Sequence, residues 1–138
     1  MRPLTWLIAL IGGTTIGAAH ATDFLDESYK ALSPKQLDSV VLEVAKVMRD
    51  PTSLIFRGLT HPNTGSPVLD NGVVCGFVNG KNIYGAYVGF TPFANQGPIN
   101  GLDALVTIDA PQADDPDYGN ALRKHMMDVS GCAAVLGL

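Results

Sequence analysis

Positive charge is scarce in this chain. Nine lysines and arginines stand against thirteen aspartates and glutamates, a net charge of −4 over 138 residues with histidine neutral. No basic cluster occurs, so the chain lacks the electrostatic footprint of a nucleic-acid or anionic-lipid binder. Long apolar runs are missing after residue 16, which leaves no segment beyond it of the roughly 20 apolar residues that a spanning helix needs. Cysteine is rare as well, with Cys75 and Cys132 alone. Repeats and low-complexity tracts are absent, which removes solenoids and leaves one modest domain.

The first 21 residues have the form of a secretory leader. Arg2 gives the positive start, residues 4–16 the apolar run, and Ala19-His20-Ala21 the small residues of a cleavage site before Thr22. Gly12, Gly13, Thr14 and Thr15 interrupt the run, which argues against a retained anchor. The expectation is a signal peptide at 1–21 and a single domain at 22–138, working in the periplasm or secreted. No cysteine adjoins the cleavage point, so no lipid attachment is indicated. In an oxidising compartment two lone cysteines pair, and a Cys75–Cys132 disulfide is expected.

Ser33-Pro34-Lys35-Gln36 spells a capping box with proline at the first helical position. Leu37, Val40, Val41, Val44, Val47 and Met48 follow at helical spacing, and Asp50-Pro51 closes the helix. A strand is expected over 54–59, a loop over 61–67, and a turn at Asp70-Asn71-Gly72. Residues 73–79 and 82–90 read as a hairpin about Asn79-Gly80-Lys81-Asn82. In that register Val73, Cys75, Phe77, Tyr84, Ala86 and Val88 form the buried face, and Gly76 opposes Gly85 across a shallow trough. Residues 91–101 read as a loop and 104–109 as a strand. A second helix is expected to open on Asp114-Asp115-Pro116-Asp117, with Tyr118, Leu122, Met126 and Val129 inward and Gly131 as its stop. The fold class is α+β, a small antiparallel sheet of about four strands with an N-terminal and a C-terminal helix packed on one face.

The stretches "DPTSLIFRGL" at 50–59 and "VCGFVNGKNIYGAYVGFTPF" at 74–93 together resemble a family of small exported bacterial proteins, many of them lipid-anchored. Its pattern is D-P-x-S-x-x-F-R followed by V-C-G-x-V-N-x-K-N-x-x-G-x-Y-x-G-F-x-x-F. Asp50, Pro51, Ser53, Phe56, Arg57, Cys75, Gly76, Asn79, Lys81, Asn82, Gly85, Tyr87, Gly89 and Phe90 match it position by position. The resemblance implies a shared fold and an envelope location and carries no activity with it. This chain lacks the family's lipid-attachment cysteine.

Chemistry-bearing residues are sparse. Cys75 with His61 or His125 and Asn79 or Asn82 has no catalytic spacing, and a disulfide suits Cys75 better than a nucleophile's role. Asp109, Asp114, Asp115 and Asp117 lack the alternation and central glycine of a calcium loop, and His61 and His125 stand alone, so neither metal nor cofactor is expected. The candidate binding residues are Arg57, Asn79, Lys81, Asn82, Tyr87, Phe90 and Phe93, a set of turn amides, cations and aromatics suited to recognition. The leading expectation is a non-enzymatic binding or inhibitor-like module whose partner is an envelope or secreted protein, a peptide or a glycan. A small envelope hydrolase using Lys81, Asn79 and Tyr87, or a structural accessory of an envelope assembly, is the alternative.

Overall fold

The structure, a computed structural model, describes residues 22–98, 103–108 and 118–138. The leader, Asp109, and the acidic stretch expected to open the second helix lie outside the described residues. Helix α1, Pro34–Val47, begins as its capping box dictates. Ser33 Oγ accepts from the Gln36 N–H at 3.3 Å, and Gln36 Oε1 accepts from the Ser33 N–H at 3.0 Å. The Gln36 amide also donates to the Asn71 carbonyl at 3.0 Å, tying α1 to the short helix α2, Pro67–Gly72, which stands where a bare turn was expected.

The sheet is mixed. Strands β1 (Asp23–Phe24), β2 (Ile55–Thr60), β3 (Val73–Asn79), β4 (Thr91–Gln96) and β5 (Leu105–Ile108) lie in chain order, with β1 parallel to β2 and the rest antiparallel. β2 carries a bulge between Arg57 and Thr60, where Gly58 takes φ +60°. The N–H groups that it frees are satisfied from the preceding turn, Gly58 by Asp26 Oδ2 and Leu59 by Ser28 Oγ, both at 2.8 Å.

The expected hairpin partner of β3 is corrected by this topology. Cys75 faces Ala94 and Val78 faces Thr91, so β3 pairs with 91–96, which the sequence marked as loop, and 80–90 is a loop with a single Lys81–Tyr87 bridge. Pro92 lies within β4, opposite Phe77 of β3. Tyr84 and Val88, assigned to the buried face, are 86% and 74% exposed, and Ala86 is exposed too.

Both faces of β3 are buried. One packs Val74 and Val78 with Phe56, Leu59 and Phe93 beneath Val40 and Val44 of α1. The other packs Val73 and Cys75 with Ala94, Met127 and Cys132 under the C-terminal helices α3 (Tyr118–Val129) and α4 (Cys132–Leu136). The helices therefore sandwich the sheet, where packing on one face was expected. The inner residue of α3 is Met127, while Leu122 and Val129, expected inward, are about half exposed.

Cys75 and Cys132 form the expected disulfide, bolting α4 to the central strand across 57 residues. Closing a loop of that length restricts the unfolded chain by about 4 kcal/mol in the chain-entropy model. Gly131 links α3 to α4 at φ +79°, and a Cβ there would run into Thr64 and sit 2.9 Å from Pro62 Cβ. Only glycine fits that junction.

Candidate functional site

Loop 80–90 is built by its own side chains. Asn82 Oδ1 accepts from the N–H groups of Tyr84 at 2.9 Å and Ala86 at 3.1 Å, and the Asn82 N–H donates to the Ala86 carbonyl at 2.9 Å. Gly85 makes the turn at φ +76°. This places the bend at Tyr84-Gly85, four residues beyond Gly80-Lys81, the centre of the expected turn.

The loop is fastened to the end of α1 through the D-P-x-S stretch. Ser53, buried, accepts from the Lys81 N–H at 2.9 Å through its hydroxyl and donates to the Asp50 carbonyl at 3.0 Å. The Tyr87 hydroxyl donates to the Ser53 carbonyl at 3.0 Å. Asp50 in turn accepts from Thr52, whose hydroxyl and N–H hold the Asp50 carboxyl below its ordinary range. At the loop's far end the Arg57 guanidinium lies 4.3 Å from the Phe90 ring centroid and 5.3 Å from that of Phe77.

The candidate residues divide accordingly. Lys81 and Tyr87 meet, with Nζ 5.7 Å from the ring centroid, and Arg57 meets Phe90. Asn82 shapes the turn. Asn79 is buried, and its Oδ1 finds no hydrogen-bond partner. Phe93 is fully buried against Phe56 in the core, so its ring is a packing element and is unavailable at the surface. Gly76 opposes Phe93 and not Gly85, and it makes room for that ring in place of forming a surface trough.

Tyr84 and Val88 had been assigned to packing, and with Ile83 they are exposed instead. Ile83, Tyr84 and Val88 are 69%, 86% and 74% exposed. Beside them opens a cavity of about 620 Å³ between the end of α1, the loop, β5 and α3. Val47, Met48, Leu105, Ile108, Leu122 and Met126 supply its apolar wall. Arg49, Lys81 and Arg123 supply its charge. No sequence signal pointed to it, because four segments far apart in the chain each contribute a few ordinary residues.

Among the described residues no group of three or more His, Cys, Asp or Glu could hold a metal, and no helix is long and apolar enough to cross a membrane. His61 Nδ1 lies 2.9 Å from the Val73 carbonyl, and His125 is exposed on α3. Comparison with protein-family models, curated proteins and solved structures finds no match for this chain.

Proposed function

We propose that this protein is a non-enzymatic binding module of the periplasm or cell exterior, and that loop 80–90 meets its partner, an envelope or secreted protein. The observation that carries this is the contrast within the loop. Its backbone is fixed by Ser53, Asn82 and the Arg57–Phe90 stack, while Ile83, Tyr84 and Val88 stand in water. Fixed apolar side chains in solvent contribute nothing to folding, and contiguous exposed apolar surface marks interaction sites. A prefixed loop also loses little conformational freedom on binding, and tyrosine offers large contact area at low entropic cost. The disulfide, the leader-like first 21 residues and the resemblance to exported bacterial proteins support the location.

The test is capture on immobilised protein from an extract of the producing cell's envelope, run beside Ile83→Ser and Tyr84→Ser. Both variants should unfold within about ±0.5 kcal/mol of wild type, as surface substitutions do. Both should lose a partner that the wild type retains at fixed stoichiometry. Identical capture by all three proteins refutes the role of the loop.

A further inference from the structure

The cavity beside the loop has a character that the rest of the chain does not. The protein as a whole is acidic, with a net charge of −4, yet among the described residues lining this cavity three are cationic and none is acidic. Arg49, Lys81 and Arg123 form no ion pair among the described residues, where the two observed pairs are Lys30–Glu27 and Lys46–Glu43. Asp50 is the nearby carboxylate that feels the Lys81 charge. Arg123 Nη2 donates to the side-chain Oδ1 of Asn120, while its Nε–H is buried without an acceptor. Three cationic side chains around one cavity, with no acid among the described lining residues, favour an anionic headgroup.

The remaining wall is mostly apolar, with Asn82, Thr91 and Thr107 as its uncharged polar members. Met48, the residue that follows α1, and Met126 of α3 both line the cavity, and methionine adapts to flexible apolar ligands. The volume of about 620 Å³ falls within the range of roughly 300–1,000 Å³ typical of small-molecule sites. We infer that this cavity binds a single-chain amphipathic acid, the acyl chain lying against Val47, Met48, Leu122 and Met126 and the carboxylate at Arg123 and Lys81. The cavity shares Lys81 and Val88 with the loop, but the inference does not rest on the partner proposed for the loop.

Calorimetric titration of the purified protein with laurate, dodecanol and dodecyltrimethylammonium, each below its micellar concentration, tests the inference. Laurate should bind one per chain, about tenfold or more tighter than dodecanol, as expected for a charge-assisted contact in a partly buried site, and the ammonium compound should be weakest. Arg123→Gln should remove most of that preference for laurate while leaving dodecanol binding unchanged. Lys81→Met serves as the second variant should Arg123→Gln disturb folding, and it should narrow the preference in the same direction. Equal binding of all three chains, many laurates per protein, or an unchanged preference in both variants overturns the inference.

Discussion

Removing one hydroxyl should release loop 80–90. Ser53 Oγ accepts from the Lys81 N–H at 2.9 Å and donates to the Asp50 carbonyl at 3.0 Å in a buried setting. Ser53→Ala deletes both bonds and leaves a partly buried amide unpaired, at a cost of about 1–3 kcal/mol. For a chain of this size that corresponds to roughly 4 °C in Tm per kcal/mol. Tyr87→Phe removes the bond to the Ser53 carbonyl alone and should cost about 0.5–1.5 kcal/mol. Because both hold the same loop to the same residue, the double variant should depart from additivity by about 0.5 kcal/mol or more. Denaturant unfolding gives the energies, and amide hydrogen exchange locates them. The N–H groups of Lys81, Tyr84 and Ala86 should exchange faster in Ser53→Ala while those of β3 change only with global stability. A Ser53→Ala protein that is as stable as wild type and equally protected in the loop refutes the fastening.

Gly76→Ala should destabilise by about 1–3 kcal/mol through overpacking, since its Cβ would sit 2.7 Å from Leu59 Cδ2 and 3.1 Å from Phe93 Cε1. Combining it with Leu59→Val should recover part of that loss in denaturant unfolding, and strict additivity would show that the close approach is not the cause. Stability should fall in acid below the unfolded carboxyl value near 3.8. Asp26, with the Ser28 hydroxyl and then the Gly58 N–H as its main donors, Asp50, with Thr52, and Asp70, with the Thr64 N–H and then its hydroxyl, all have depressed values when folded. Their contribution is therefore complete above 3.8 and is lost as pH falls through the lower folded values. Tm curves of wild type and Asp70→Asn should accordingly converge as the pH drops, and a constant gap would remove Asp70 from the account.

What could be read from the sequence was local or countable. The start of α1 was legible because Ser33, Pro34 and Gln36 settle it within four positions, and the disulfide because only two cysteines exist. The partner of β3 was not legible. Register is inferred from one apolar and one polar face, and β3 buries Val73 and Cys75 on one side and Val74 and Val78 on the other. Residues 91–96 looked like a loop because Pro92 and Asn95 weigh against a strand. Yet Pro92 takes its place in β4 opposite Phe77 of β3, and Asn95 is buried with its amide donating to Ser39 Oγ at 3.4 Å. Rotation of α3 was hidden as well, since Met126 and Met127 are equally apolar and only docking against the disulfide cluster chooses Met127.

The composition of 74–93 then divides by role. Cys75 is tied to α4, Gly76 yields to Phe93, Lys81 and Tyr87 are held by Ser53, Asn82 and Gly85 form the bend, and Phe90 lies on Arg57. Every one of these stands at a specified position of the pattern V-C-G-x-V-N-x-K-N-x-x-G-x-Y-x-G-F. Ile83, Tyr84 and Val88, which the fold leaves in solvent, stand at its open positions. In this chain the pattern's specified positions thus shape the loop and fasten it to D-P-x-S, while the side chains proposed to meet a partner stand at positions it leaves open. Proteins that share the pattern are expected to share the loop and to differ in what the loop displays, so specificity should move with residues 83, 84 and 88 when they are exchanged as a set.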